Sequence, residues 1–263
     1  MSAVVLSFAN QKGGVGKTTL CLQTAFYLAQ AGNRVLVIDM DGQGNTSSRL
    51  VPFVKDDEGY EVQHYSGTKA SELFESDPGP ISPIECNYGI HLICTPLNDP
   101  VLFDKETVPL DEALNPARNC EELFKRYDYV LVDCSPSLGR RLVAALALST
   151  HVICPVKISG FAVDGVEGLL QTINGIRSNH NPNLRLLGLL VNDMDRSVNH
   201  DRALERLESL AGDFLFKNKI RHRAPLDTAS TLGIPVWDLH YGHVASSEVR
   251  TAIEEILEKI NAD

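Results

Sequence analysis

The sequence predicts an α/β fold with a doubly wound, mostly parallel sheet that helices cover on both faces. Short apolar runs rich in Val, Ile and Leu recur along the chain, and helical stretches separate them. Strands that are apolar throughout are typical of a parallel sheet buried on both sides. The chain has 263 residues, of which 43% are hydrophobic and 22% charged. Since α/β sheets often fill about 200–250 residues as a single unit, we expect one domain over residues 1–263.

The apolar runs locate the strands of this sheet. They cover residues 4–8, 35–38, 90–94, 129–132, 152–156 and 186–191. The first helix is expected at about 17–30, because Gly32 can take the left-handed conformation that ends a helix. A second helix begins near Gly165, and the last runs over about 247–260. Residues 51–116 contain most of the prolines and several acidic clusters, which predicts a surface insertion with short helices inside the domain.

The composition excludes several classes of protein. Asp and Glu number 34 against 24 Lys and Arg, for a net charge of −10, so a polyanionic partner would have to meet a local basic patch. No apolar run reaches the roughly 18 residues of a membrane span. The N-terminal sequence has neither a basic leader nor a cleavage site, so we expect a cytoplasmic protein. The six cysteines form no Cys-x-x-Cys pair, which favours reduced thiols in the core.

A loop rich in glycine and lysine follows the first predicted strand. It reads KGGVGKTT over residues 12–19, and the first helix begins within it. Glycines let successive backbone amides point at a phosphate, and a helix N-terminus adds partial positive charge. Lys17 can reach the β- and γ-phosphates of a nucleotide, and Thr18 supplies a hydroxyl for Mg²⁺. Gln11 stands where a standard phosphate loop has its first glycine, and Lys12 is an additional lysine.

This loop resembles the deviant Walker A motif of the ParA/MinD family of P-loop ATPases. Residues 35–45, VLVIDMDGQGN, resemble the family's second motif, with Gly42 in place of the usual proline. Residues 130–138, VLVDCSPSL, resemble its Walker B segment. The Gln-Gly-Asn tripeptide and the Pro-Ser-Leu ending are most similar to the ParA partition branch. The resemblance extends along most of the chain and implies a P-loop NTPase fold with ATP and Mg²⁺ as cofactors.

The resemblance also implies roles for particular residues. Lys17 would neutralise the phosphate oxygens, and Lys12 would reach across a dimer interface to the ATP of the other subunit. Asp41 matches the carboxylate that orients the attacking water. The implied active site is therefore complete only in a homodimer that holds nucleotide between its subunits. The implied ATP-binding residues are Lys12, Gly13, Gly14, Val15, Gly16, Lys17, Thr18, Thr19 and Asn192.

Three further polar residues end predicted strands. Asp133 is expected at the carboxyl edge of the sheet, where it would hold Mg²⁺ through water; the alternative is a helix cap. Asp39 supports Mg²⁺ or the loop that follows it, or else caps a helix. Asn192 resembles the asparagine that reads the adenine edge in relatives, since an amide both donates and accepts hydrogen bonds. The alternative for Asn192 is a turn residue before Asp193.

A basic cluster lies late in the acidic chain, within residues 216–223. Its positive side chains are Lys217, Lys219, Arg221 and Arg223. Its position resembles the part of ParA proteins that binds DNA without sequence preference, and counterion release favours such a cluster on DNA. A solvated strand and loop is the alternative. The segment lacks the family's usual Ile-Pro-Arg pattern, so we assign no second contact to adenine.

The sequence thus predicts a dimerising ATPase that binds DNA non-specifically and partitions a plasmid, chromosome or integrated element. The resemblance implies a ParB-like partner that stimulates weak basal hydrolysis, and a cytoplasmic, nucleoid-associated location. The alternative is a MinD-like or ParA-like ATPase that positions a protein or membrane-associated cargo. MinD-like membrane cycling requires a basic amphipathic C-terminal helix. Acidic residues outnumber basic ones over 246–263, so we expect a core-packing helix and no membrane binding.

Overall fold

A seven-stranded sheet lies at the centre of the protein. The computed structural model describes residues 3–158, 164–194, 204–205, 207–209 and 211–262, without the side chains of 164–166. The described strands are β1 (Val4–Phe8), β2 (Val35–Met40), β3 (Phe53–Lys55), β4 (Glu61–Gln63), β5 (Ile84–Glu85), β6 (His91–Ile93), β7 (Tyr129–Cys134), β8 (His151–Val156) and β9 (Arg185–Val191). The order in the sheet is β5-β6-β2-β7-β1-β8-β9, and only β5 is antiparallel to its neighbour. The predicted α/β fold with a mostly parallel sheet is confirmed.

Helices pack on both faces of this sheet. Those described are α1 (Lys17–Gln30), α2 (Asn45–Leu50), α3 (Pro100–Asp104), α4 (Leu110–Ala113), α5 (Asn115–Asn119), α6 (Glu121–Phe124), α7 (Arg140–Leu148), α8 (Asp164–Asn179), α9 (Ala224–Leu232) and α10 (His243–Ala262). Successive side chains of a strand point to opposite faces. Leu36 and Ile38 of β2 accordingly join an apolar cluster with α7, whereas Val35 and Val37 join one with α1 and α10.

The parallel register brings three loops together at one edge of the sheet. In β7, Asp133 pairs with Phe8 of β1 on one side and with Asp39 of β2 on the other. The loops that follow β1, β2 and β7 therefore leave the sheet side by side. This edge is where open α/β sheets bind their ligands.

Residues 51–116 contribute both surface and core. The antiparallel β3–β4 hairpin leaves Phe53 63% exposed, whereas Phe74 and Leu102 are fully buried. β5 and β6 form one edge of the main sheet.

All six cysteines are buried thiols, as the sequence predicts. Burial raises the pKa of the Cys120 thiol to about 12. Within the described part of the chain, no helix combines the length and apolar character that crossing a bilayer requires.

Candidate active site

The loop between β1 and α1 curls around the start of that helix. Gly14 and Gly16 have φ angles of 71° and 89°, left-handed values that residues with a Cβ rarely adopt. Gly16 directly precedes the 14-residue helix, and a Cβ at Gly16 would overlap the side-chain amide of Asn192. The first amides of α1 are thereby left facing the cleft, an arrangement that suits an anion.

Lys17 is the first residue of α1 and is only 6% exposed. Its Nζ donates a hydrogen bond to the carbonyl oxygen of Lys12 at 3.1 Å. Burial lowers the pKa of Lys17, and the nearby carboxylates of Asp133 and Asp41 oppose that shift. Lys12 itself is half-buried, and its backbone amide donates to the Asn10 side chain at 2.9 Å. The ammonium group of Lys17 is thus held where the loop would surround a phosphate.

Asp133 is fully buried beside this lysine. Its Oδ2 accepts hydrogen bonds from the hydroxyls of Thr18 at 2.6 Å and Thr46 at 2.7 Å. Its Oδ1 has no hydrogen-bond partner among the described residues. Burial raises the pKa of Asp133 to about 6, against the effect of the two hydroxyls and Lys17. A helix cap is ruled out as its role, because α7 begins only after Gly139.

Asp39 organises the loop that follows β2. Its Oδ2 accepts from the backbone amide and the hydroxyl of Ser47, at 2.8 and 2.7 Å, and its Oδ1 accepts from the amide of Asp41 at 3.2 Å. The group is fully buried, and burial, with Asp133 nearby, raises its pKa. Of the roles left open by the sequence, the geometry matches support of the loop and of the first turn of α2.

Asp41 lies in that loop, at the wall of the cleft. It is 8% exposed, and its Oδ1 accepts from the backbone amide of Gln43 at 3.1 Å. Gly44 has a φ of 69°, and a Cβ there would come within 2.6 Å of the carbonyl oxygens of Thr95 and Pro96. The loop therefore lies so close to a neighbouring backbone segment that only glycine fits at this position.

Asn192 joins the phosphate-loop side of the cleft to the end of β9. Its Nδ2 donates to the carbonyl oxygen of Val15 at 2.9 Å, and its buried Oδ1 has no partner among the residues described. The next residue, Asp193, has a φ of 54°. Asp193 accepts a hydrogen bond from His222 Nδ1 at 2.6 Å and pairs with Lys157. The Oδ1 of Asn192 is therefore still able to accept a hydrogen bond, whereas its Nδ2 already donates one to the protein.

The basic cluster is largely engaged by acidic side chains. Lys219 pairs with Glu208 at 2.8 Å. Glu248 of α10 accepts from the guanidinium of Arg223 at 2.7 Å and from the backbone amide of Arg221 at 3.0 Å. Arg221 and Arg223 also line the cleft, so the structure places them beside the phosphate loop. The side chain of Lys217 is exposed.

One cavity of about 410 Å³ joins most of the predicted residues. Its lining includes Gly13, Gly14, Gly16, Lys17, Thr18, Thr19, Asp41, Asn192, Arg221 and Arg223. Asp133 lies behind Thr18, bonded to its hydroxyl. Sequence reasoning missed Thr46, which shares Asp133 with Thr18. Three consecutive hydroxyl residues directly after the Gly-Asn of the second motif, Thr46, Ser47 and Ser48, were the available signal.

Comparison with known proteins shows the family of this chain. The sequence profile of a family described as an AAA domain matches residues 3–186. The chromosome-partitioning ATPase Soj of Thermus thermophilus is 34% identical over 259 residues, which cover 97% of this chain and 96% of Soj. The chain belongs to the ParA/MinD family of P-loop ATPases. Another relative, the chromosome partitioning protein ParA of Myxococcus xanthus, is 31% identical over 88% of this chain and 80% of its own length.

The solved structure of another protein has the same fold as this ParA/MinD family member. Cobyrinic acid a,c-diamide synthase from Mycobacterium smegmatis, with bound ADP and magnesium, is 26% identical. The alignment covers 88% of this chain and 91% of the synthase, with a TM-score of 0.71. One scaffold is thus similar to both partition ATPases and a biosynthetic enzyme, so the fold alone does not assign a role.

Proposed function

We propose that this protein is a partition ATPase that binds MgATP in the cleft and dimerises around it. In that state it binds DNA without sequence preference, and it releases the DNA after hydrolysis. Its cargo is a plasmid, chromosome or integrated element, and a ParB-like protein stimulates its weak basal activity. The partition role is supported by the identity to Soj and ParA over nearly the whole chain.

The environment of Asp133 is the observation that supports the nucleotide site most strongly. Its unpartnered, buried Oδ1 and the hydroxyl of Thr18 form an oxygen donor set beside a buried lysine. Oxygen ligands of this kind suit Mg²⁺, which prefers one or two carboxylates together with phosphate oxygens and water. We assign Thr18 and Asp133 to hold Mg²⁺, which supplies charge neutralisation at the transferring phosphoryl group.

The chain's own residues then have distinct tasks in hydrolysis. The amides at the start of α1 bind phosphate oxygens, and Lys17 exchanges the carbonyl of Lys12 for the β- and γ-phosphates. Asp41 accepts a hydrogen bond from the attacking water and orients it, since phosphoryl transfer requires a positioned nucleophile as well as charge stabilisation. Lys12 reaches the nucleotide of the second subunit. Asn192 accepts from the adenine amino group with its unpartnered Oδ1.

DNA binding is assigned to the basic cluster of two subunits together. A monomer with a net charge of −10 is repelled by DNA at long range. Its single basic cluster neutralises only a few phosphates, so the monomer binds DNA weakly. A two-fold dimer doubles the cluster along one duplex. Binding of this kind would keep the protein on the nucleoid in the cytoplasm.

The structure disfavours a membrane-cycling alternative. The apolar residues of α10, among them Val249, Ile253 and Ile256, are fully buried against the rest of the protein. Insertion of that face into a bilayer would require the helix to leave its core. The helix therefore packs as the sequence predicts.

The proposed cycle is tested by DNA binding in defined nucleotide states. Filter binding with MgATP and with MgADP, at several salt concentrations, should show tight binding only with ATP and a steep loss of affinity with salt. Lys217→Ala combined with Lys219→Ala should weaken binding to all sequences and flatten the salt slope. Val244→Ala, an exposed and uncharged change on α10, serves as a control. Equal affinity in both nucleotide states would overturn the proposed switch.

A further inference from the structure

An aromatic ring packs on the loop that carries Asp41. Residue 42 is glycine where the family motif has proline, and a Cβ at Gly42 would lie 2.8 Å from Cε1 and 2.9 Å from Cδ1 of Phe103. The space that a side chain at position 42 would occupy is therefore filled by a residue 61 positions away in the sequence, on α3. Phe103 is half-buried.

The backbone around α3 reinforces this contact. The amide of Asp99 donates to the carbonyl oxygen of Gly42 at 2.9 Å, and that of Asn98 donates to the carbonyl oxygen of Gln43 at 3.4 Å. Asp99 also caps α3, with its Oδ1 accepting from the amide of Val101 at 3.0 Å. The loop after β2 is thus fastened to the start of α3 at two consecutive carbonyls as well as at the ring.

An ion pair between the buried Arg141 and the half-buried Glu106 lies against the ring from the side of α7. The guanidinium of Arg141 lies 5.2 Å from the centroid of Phe103, and its Nε donates to Oε2 of Glu106 at 2.8 Å. The Arg141 side chain is only 8% exposed, so the charge is held in place by this carboxylate and the ring. The ring therefore lies between the loop that carries Asp41 and the first turn of α7.

We propose that Phe103 is a positioning residue for ATP hydrolysis: its ring fixes the backbone at Gly42 and thereby holds the Asp41 carboxylate toward the cleft. The inference rests on the proposed role of Asp41 in orienting water. Phe103 does not line the cleft, so it acts through the loop. Its loss should slow turnover without loosening nucleotide binding, since misplacing a positioned group by about 1 Å can cost up to 100-fold in rate.

A pair of substitutions separates positioning from simple stabilisation. Phe103→Ala frees the loop, and Gly42→Ala drives a Cβ into the ring; each should lower kcat roughly tenfold and change KM for ATP by less than about twofold. Combining them removes the clash but leaves the loop without the ring, so the double variant should show the same roughly tenfold loss as Phe103→Ala alone. Phe103→Leu, which keeps a bulky apolar group, should retain most of kcat. Val101→Ala, an exposed change on the same helix, is the matched control.

Tm and kcat together distinguish a positioning role of Phe103 from a purely stabilising one. If Phe103 only stabilised the fold, Phe103→Ala would lower Tm but leave kcat per folded molecule at wild type, which would overturn the proposal. A double variant slower than Phe103→Ala would show that Gly42→Ala acts independently of the ring, and this would overturn it as well. Asp41→Ala is measured alongside. Wild-type turnover in Asp41→Ala would refute the role of Asp41 itself, and this inference with it. If Asp41→Ala loses turnover while Phe103→Ala keeps the kcat of the wild type, the positioning role of Phe103 alone is refuted.

Discussion

Lys12 and Lys17 lie five residues apart, yet the structure gives them different environments. Lys17 is buried under the loop near Asp133, whereas Lys12 is half-buried at the loop's start. Lys17→Ala should weaken ATP binding roughly 30-fold or more, because a charge-assisted hydrogen bond is worth about 2 kcal/mol. Lys12→Ala should bind one ATP per monomer with nearly normal affinity but form no dimer. Calorimetry measures the binding and light scattering the association.

Normal ATP-dependent dimers of Lys12→Ala would contradict its role across the interface. Thr172→Ala is a suitable control, since its hydroxyl donates only to the carbonyl of Gly168 within α8.

Asp41 offers a second prediction at a single residue. Asp41→Ala leaves Thr18 bonded to Asp133, so ATP should still bind and the dimer should accumulate. Turnover should fall at least roughly tenfold, because the orienting carboxylate is lost while the binding groups remain. A phosphate-release assay under saturating ATP measures this loss. Asp41→Asn, which keeps the size of the side chain, tests whether the charge matters.

At the scale of elements, the sequence predicts the strands and helices that a local pattern of residues determines. β1, β7 and α1 were predicted because continuous apolar runs and a glycine-rich turn each specify one local structure. β5 was missed because it has two residues and pairs only at the edge of the sheet. The packing of Phe103 on Gly42, and the pairing of Arg141 with Glu106, depend on the tertiary fold. No spacing rule in one sequence reveals such contacts.

Glu255 of α10 illustrates an element held by one side chain. It is 8% exposed and accepts hydrogen bonds from the backbone amides of Lys217 and Asn218, and from the Asn218 side chain, each at 2.8 Å. It therefore fixes the start of the basic cluster against the C-terminal helix. The sequence indicates only that acidic residues outnumber basic ones over 246–263.

Glu255→Ala should destabilise the protein by about 2 kcal/mol, because it leaves partly buried amides without an acceptor. For a chain of this length the Tm should fall by roughly 4–8 °C, measured by circular dichroism without nucleotide. Glu258→Ala, exposed on the same helix, should leave the Tm unchanged. An unchanged Tm in Glu255→Ala would mean that solvent replaces its hydrogen bonds.

For the whole molecule, the proposed dimer makes stability depend on protein concentration. A ligand that binds only the folded state at about 100 times its Kd stabilises that state by about 2.7 kcal/mol. MgADP and MgATP should therefore both raise the Tm of this chain, by roughly 5–10 °C at such an excess.

Only MgATP should make the Tm rise further as the protein is concentrated, because association adds a stabilising free energy that grows with subunit concentration. Lys12→Ala should keep the shift caused by nucleotide and lose its concentration dependence, which distinguishes a nucleotide that closes the dimer from one that merely fills the cleft. Scanning fluorimetry over a hundredfold range of protein concentration, with ATP hydrolysis slowed by Asp41→Ala, measures both effects. If the Tm with MgATP does not depend on concentration, the protein acts as a monomer and Lys12 serves its own phosphate loop.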